Sequence, residues 1–399
     1  MRLLFIANDF PNPARPAKGV FNLNLASALA RRHEVKVVSP VPWTDPARAI
    51  ARGSAELWHF DRGVIDGIEV RYPRYYYPPG VLRSHYGWFY WHSVRGAVDA
   101  LLGGQPPAAV LAYWAHPDGE TAVRVARRAG VRSAVIVGGS DVLVLTDDPA
   151  RRRRVVSVLQ ATDAVLCVCQ YLRERVLDLG IPAEKVHLWY QGVDTATFHP
   201  DDRATARRRL GLPEEGRIAL WVGRLVPAKG IDVLLEAMTM LRARGVGLHL
   251  HLVGDGPLRE SLEARVDALA LTSSVSFVGC LAPAHLPDWY RAADLTVLPS
   301  RVEGLPNVLR ESKACGTPIV ATRVGGNAEI ADEPWDQLVP PEDPAALAAA
   351  IEATLRRSRL GATLVPPPTW SAAAEALMSI VLPEGAALSP SAGRVPAWR

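Results

Sequence analysis

Residues 300–330 read SRVEGLPNVLRESKACGTPIVATRVGGNAEI, and two carboxylates, Glu303 and Glu311, stand in them eight positions apart. The apolar spacing over 307–315 predicts a helix that begins near Pro306, so Glu303 precedes it and Glu311 falls in its second turn. Gly304, Leu305, Pro306 and Asn307 would then bring the helix's unpaired N–H groups to a phosphate, where the helix dipole also favours an anion. Glu311 could accept hydrogen bonds from a ribose diol. Glu303 could hold sugar hydroxyls or stabilise positive charge at an anomeric carbon. The plainer alternative is that each is an acidic residue stabilising its own helix.

Other parts of the second half repeat this chemistry. Gly223 and Arg224 follow the strand-like run 217–222, and Lys229-Gly230 precedes a helical pattern. Two cations placed this way can reach a diphosphate from separate directions, and the glycines allow close backbone approach. They also fit two surface charges near an ordinary turn. Gly254-Asp255-Gly256-Pro257, Gly279 and Gly325-Gly326 all lie at expected strand ends, where a turn and a ligand-facing backbone read alike. None of these is a dinucleotide fingerprint or a Walker A motif.

The first half offers fewer sharp signals. The long loop 11–19 delivers Gly19 to a helix start and could act as a lid. His116 and Asp141 each follow a strand; His116 is either a candidate catalytic group or a hydrogen-bonded loop histidine, and Asp141 either binds a hydroxyl or caps a helix. Tyr75, Tyr76 and Tyr77 lie in an aromatic, proline-rich, basic segment that could contact an acceptor sugar or a membrane interface, or simply pack. Arg151–Arg154 is read as a solvated helix start, with a phosphate or an anionic membrane as the other reading.

These residues need a scaffold of strand ends. Continuous apolar runs at 2–7, 35–39, 109–114, 132–137, 164–168 and 185–188 alternate with helical patterns at 19–31, 84–102, 118–129 and 171–179. A second series has strands at 217–222, 248–253, 275–278, 295–298 and 318–322. Its helices are 230–244, 258–269 and 344–357. Such alternation implies parallel sheets covered by helices on both faces. The polar, turn-rich stretch 199–213 marks the boundary. The expected division is an acceptor-binding domain over 1–200 and a nucleotide-sugar domain over 201–368. A final helix at 369–382 and a loose tail at 383–399 complete it. The ligand site of such folds lies beyond strand C-termini.

Bulk numbers narrow the class. The chain has 399 residues with 49% apolar and 22% charged, an ordinary soluble composition. No apolar run is long enough for a membrane span, and the first strand is too short for a signal peptide, so a cytoplasmic protein is expected. Residues 1–200 carry 24 Lys and Arg against 18 Asp and Glu, and 201–399 carry 21 against 23. The basic first half suits an anionic partner, but no nucleic-acid-binding motif accompanies it. The four cysteines form no Cys-x-x-Cys pair and read as buried thiols. Histidine spacing and the lack of Asp-x-Asp argue against a protein-held metal.

Taken together, the motifs resemble the family-4 retaining glycosyltransferases of GT-B fold. Gly223-Arg224, Lys229-Gly230, Gly254-Asp255-Gly256-Pro257, Gly279 and the 303–311 segment stand in that family's order and spacing. Residues 314–322, Gly325-Gly326 and Glu329 extend the match, and Gln191 to Pro200 resembles the segment before the family's linker. The resemblance implies two Rossmann-like doubly wound domains facing across a cleft. It also implies a UDP- or GDP-sugar as substrate, with no further cofactor. Arg224 and Lys229 would hold the diphosphate, Glu311 the ribose and Glu303 the sugar, while Gly19 would approach the donor. The last helix would return to the first domain. Two segments depart from the pattern. Leu111 and Tyr113 stand where relatives often carry the two histidines of His-x-His-Trp, and Gly138 stands where they tend to carry His or Arg before Gly139-Ser140-Asp141.

The expected reaction is sugar transfer with anomeric retention by front-face substitution, with closure of the two halves excluding water. A glycan or polyprenyl-diphosphate-linked acceptor would suit the basic, aromatic first half. Cell-surface polysaccharide assembly at the inner face of the plasma membrane, with peripheral contact to anionic lipid, would then follow. The competing readings are a GT-B epimerase or phosphorylase and a nucleotide-sugar-binding protein without turnover.

Overall fold

The computed structural model describes residues 1–51, 60–331, 334–356 and 367–383. The expected tail therefore lies outside the described residues, apart from Pro383. The chain forms two compact units, residues 1–192 with 370–399, and residues 193–369.

The strands of the first unit are β1 (Arg2–Ile6), β2 (Glu34–Val38), β3 (Val41–Pro42), β4 (Arg62–Ile65), β5 (Ile68–Arg71), β6 (Arg74–Tyr75), β7 (Ala109–Tyr113), β8 (Arg132–Val137), β9 (Ala164–Cys167) and β10 (Val186–Leu188). Eight of them form one sheet in the order β10-β9-β8-β7-β1-β2-β5-β4, and β3 pairs with β6. All pairs in the large sheet are parallel except β4 with β5. β1 and β7 are buried along their whole length apart from the first residue of β1, as strands covered by helices on both faces must be. The chain builds outward from β1 to β2, then returns to β7 on the other side. The C-terminal ends of β1 and β7 thus flank a topological switch point.

The second unit repeats the plan with β11 (Ile218–Val222), β12 (His249–Val253), β13 (Val275–Gly279), β14 (Leu295–Leu298), β15 (Ile319–Thr322) and β16 (Gln337–Val339). Their order is β13-β12-β11-β14-β15-β16, and every pair is parallel. Here the switch point lies between β11 and β14. Leu234, Leu241, Leu250, Leu252, Leu347 and Ile351 pack on one face of this sheet, and Val193, Phe198, Leu220, Tyr290 and Cys315 on the other.

That second cluster explains where the chain divides. Val193 and Phe198 are buried in it, the Val193 N–H donates to the Pro368 carbonyl at 2.8 Å, and Arg291 donates to the carbonyls of Thr197 and His199. The division therefore precedes residue 200. The polar stretch 199–213 is also more ordered than its composition suggests. It contains helix Arg203–Arg209, capped by Asp202, whose carboxylate accepts from the Thr205 N–H. Arg207 is buried with its guanidinium donating to Asp294 and to the carbonyls of Ala292, Glu214 and Gly216.

Helix Trp370–Val381 belongs to the first unit. It packs along helix Val20–Ala30, Trp189 Nε1 donates to the Ala373 carbonyl at 2.8 Å, and Arg132 donates to the Val381 carbonyl. Cys167, Cys169 and Cys315 are buried, whereas Cys280 is exposed just beyond β13. Among the described residues no helix is long and apolar enough to cross a membrane.

Candidate functional site

In the second unit, the residues singled out from the sequence gather at the β11/β14 switch point. β14 ends at Leu298, and the chain continues through Ser300 to Glu303. Lys229 Nζ donates to Glu303 Oε1 at 2.6 Å, and Ser300 Oγ donates to the same oxygen at 2.6 Å. Glu303 is buried and Lys229 is partly exposed, so the cation stands on the solvent side of the carboxylate. Ser300 is itself fixed, because Thr322 Oγ1 donates to its carbonyl at 2.5 Å.

Glycines let these segments meet. Gly230 has φ 62° and caps helix Ile231–Ala243; a Cβ there would lie 2.0 Å from the Pro299 carbonyl oxygen. Gly325, at φ 52°, would place a Cβ 2.0 Å from the Glu303 carbonyl oxygen, and the Gly326 N–H donates to the Gly304 carbonyl. These backbone approaches require glycine at 230 and 325.

Helix Asn307–Ala314 starts behind Pro306, and no side chain caps its first N–H groups. Glu311 lies in the second turn and accepts a hydrogen bond from Tyr290 Oη at 2.9 Å. Burial pushes its carboxyl up to about 6, against the opposing effects of that hydrogen bond and the neighbouring Arg310. Arg224 is exposed beyond β11, and its guanidinium has no hydrogen-bond or ion-pair partner among the described residues. Gly279 ends β13 at φ 90°, its carbonyl accepting from the Gly254 N–H at 2.8 Å. The second unit thus joins Lys229 and Glu303 by a hydrogen bond beyond the C-terminal ends of β11 and β14, with Arg224 following β11, Gly304, Leu305 and Pro306 leading into helix Asn307–Ala314, and Glu311 in that helix. A hydroxylated, phosphorylated ligand would find cations, an open helix start and carboxylate acceptors there.

Three residues of this site were not singled out in the sequence reading. Ser300 shares the Glu303 oxygen, Tyr290 holds Glu311, and Arg301 ties the surrounding loops. Arg301 donates to both carboxylate oxygens of Asp232 at 3.0 and 2.8 Å, to Glu342, and to the Pro227 carbonyl, while its own N–H donates to Ala228. Tyr290 comes from helix Leu286–Ala292, whose short apolar pattern is broken by Pro287 and Asp288. Ser300 stood next to the motif, and its position at a strand end was the available clue.

The first unit places its candidates differently. Gly19 caps helix Val20–Ala30 at φ 63°, and a Cβ there would lie 2.1 Å from the Asp9 carbonyl oxygen. Across the β1/β7 switch point, Asp118 accepts from the Asn8 N–H at 2.7 Å, from Asn8 Nδ2 at 3.0 Å and from Tyr90 Oη at 2.6 Å. Complete burial pushes its carboxyl up to about 7 despite those donors.

His116 is turned inward. Its Nε2 accepts from the Gly87 N–H at 3.1 Å, and burial lowers its pKa to about 4 even with Glu120 only 3.7 Å away. A buried imidazole held this way braces the two segments that carry Gly87 and His116. Asp141 is likewise buried, its Oδ2 accepting from the Ala115 N–H and its Oδ1 from the Gly139 N–H, so it braces the loops after β7 and β8. Tyr75 is buried between the rings of Tyr77 and Tyr90, so it belongs to the core; Tyr76 is exposed and Tyr77 partly so. The arginine run opens helix Pro149–Ala161, which Asp148 caps; Arg152 and Arg153 face solvent. Among the described residues no group of three His, Cys, Asp or Glu side chains converges to hold a metal ion.

Comparison with known proteins also finds two parts, with the boundary between residues 197 and 216. Residues 19–197 match the model described as Glycosyltransferase Family 4, and residues 216–357 match Glycosyl transferases group 1. A D-inositol 3-phosphate glycosyltransferase of Acidothermus cellulolyticus is 33% identical over 74% of this chain and 63% of that protein, so the chain spans just under two thirds of its length. One from Thermomonospora curvata is 31% identical over 78% of this chain and 72% of that protein. The putative teichuronic acid biosynthesis glycosyltransferase TuaC of Bacillus subtilis is 29% identical over 88% of both. Two solved structures share the fold: sucrose-phosphate synthase from Thermosynechococcus elongatus, with TM-score 0.73, 23% identity and coverage of 96% and 95%; and Anabaena Alr3699/HepE in complex with UDP-glucose, with TM-score 0.64, 20% identity and the same coverage. With its two doubly wound units and a family match in each, the chain belongs to the family 4, group 1 glycosyltransferases and has the GT-B fold.

Proposed function

We propose that this protein transfers a sugar from a nucleoside-diphosphate sugar to a hydroxyl acceptor with retention of anomeric configuration. The Lys229–Glu303–Ser300 cluster at the β11/β14 switch point is the observation that carries this reading. Lys229 and Arg224 hold the diphosphate, joined by the open N–H groups of helix Asn307–Ala314. Glu311, steadied by Tyr290, accepts from the ribose diol, and Glu303 orients the donor sugar. The C1–O bond to the β-phosphate breaks as the acceptor oxygen bonds to C1 on the same face, and the departing phosphate oxygen takes the acceptor's proton. The two cations stabilise the charge that grows on the diphosphate. No carboxylate forms a covalent sugar adduct in this scheme.

The fold-mate crystallised with UDP-glucose supports a UDP-sugar as the first donor to try, with GDP-sugars beside it. Relatives named for D-inositol 3-phosphate and for teichuronic acid biosynthesis frame the acceptor choice. We favour a glycan or polyprenyl-diphosphate-linked acceptor, used in cell-surface polysaccharide assembly, because the first unit exposes Tyr76, Val81, Leu82 and Trp88 close to Arg83. Aromatic and aliphatic side chains beside a cation suit an anionic bilayer surface. Flotation with phosphatidylglycerol vesicles over a salt series tests this contact; no association at low salt removes it.

The reaction itself is tested by incubating UDP- and GDP-sugars with D-inositol 3-phosphate and with lipid-linked glycans in parallel, and by reading the product anomer by NMR. A product of retained configuration is expected. Inversion contradicts the mechanism, and nucleotide binding without product in any arm favours a binding protein.

A further inference from the structure

We infer that Tyr113 is a positioning residue for the Gly19 turn, and that its ring is what obliges residue 138 to be glycine. The Tyr113 ring, at the end of β7, lies 4.9 Å from the ring of Phe21 in the first turn of helix Val20–Ala30. It meets Trp114 edge-on at 5.3 Å, and its hydroxyl accepts from Gln191 Nε2 at 3.1 Å. Tyr113 and Gln191 are both buried. At the end of β8, a Cβ on Gly138 would fall 2.7 Å from Tyr113 Cε1 and Oη and 2.9 Å from Cζ.

A flexible side chain could yield to such a methyl group. This ring is fixed on three sides, so yielding would push it toward Phe21 or break the Gln191 contact. Phe21 in turn sits two residues past Gly19. The other side of the Gly19 turn is held by the Asp9 carbonyl, which accepts from Asn22 Nδ2 at 2.7 Å, and by Lys18, which bonds the Asn8 carbonyl. Tyr113 therefore supplies the brace opposite those hydrogen bonds. Tyrosine at 113 and glycine at 138 are one compensated pair. A neutral phenol held by an amide fills the volume that a larger residue at 138 would take.

The test is a cycle of Y113F, Y113V, G138A and Y113V/G138A, read by thermal unfolding and by hydrogen exchange of the 19–23 amides. G138A alone should lower Tm by about 3 °C or more and speed exchange at 19–23. In the Y113V background the same alanine should cost nothing further. Y113F, which keeps the ring, should hold exchange at 19–23 near wild type, whereas Y113V should raise it severalfold. With donor turnover, Y113V should lower kcat more than Y113F does. An equal cost of G138A in both backgrounds, or unchanged exchange in Y113V, overturns the inference. The exchange arm needs no turnover, so its failure is separate from any failure of the donor assignment.

Discussion

Lys229 Nζ lies 2.6 Å from Glu303 Oε1, joining the loop after β11 to the loop after β14 across the switch point of the second sheet. The pair sets a specific expectation. K229A leaves a buried carboxylate with Ser300 as its one side-chain donor among the described residues, so it should lower both stability and donor use. A lost leaving-group cation should cost about 10²- to 10³-fold in kcat/KM. E303Q relieves the unpaired charge, so K229A/E303Q should recover Tm toward wild type while turnover stays low. Melting curves and donor kinetics on the three variants check this. Recovery of activity along with Tm would assign the pair a purely structural role.

Glu311 gives the site a pH dependence. Burial holds its carboxyl at about 6, and in the proposed site a ribose diol would donate to the ionised form. Nucleotide affinity should therefore be full above that value and weaken as pH falls through about 6. Tyr290 lowers the carboxyl by its hydrogen bond, so Y290F should move the midpoint upward, and E311Q should flatten the profile. Calorimetric titration of the nucleoside diphosphate between pH 5 and 8 reads all three, these pH limits bracketing the carboxyl's shifted range.

Arg301 acts through its neighbours. Its bidentate pair with Asp232 and its bond to the Pro227 carbonyl fix the turn that carries Lys229. R301A should lower donor kcat/KM about tenfold with a modest fall in Tm, and R301K should recover little, because an ammonium cannot reproduce the fork. Full rescue by lysine would show that charge alone suffices.

Gly230 tests the backbone approach. G230A would meet the Pro299 carbonyl and force an unfavourable φ, so a loss of more than about 1 kcal/mol is expected, measured by denaturant titration. An alanine accepted without cost would mean the two loops are not in this register.

Much of this arrangement was legible because strand ends and glycines are local features. The alternating apolar runs set the two sheets, and Lys229-Gly230, Glu303 and Glu311 each announced a turn or helix start. What stayed hidden depends on long-range contact. Nothing local distinguishes His116 as buried, since its partner Gly87 lies 29 positions away. Tyr290 reads as one apolar residue in a short helix until its hydroxyl is seen to reach Glu311. Arg207 reads as linker charge until four acceptors close around it. Asp118 sat beside His116 in the sequence, yet its role as the link between β1 and β7 rests on Asn8, 110 positions earlier.

The central claim is that the second unit binds a nucleoside-diphosphate sugar through Lys229 and Glu311. Isothermal titration of UDP, GDP and ADP, each alone and as its sugar, into wild type, K229A and E311A tests it most directly. One base should bind to the wild type and weaken at least about tenfold in each variant, the loss expected for a charged hydrogen bond. Binding that both variants leave unchanged, or no binding by any member of the panel, would contradict it.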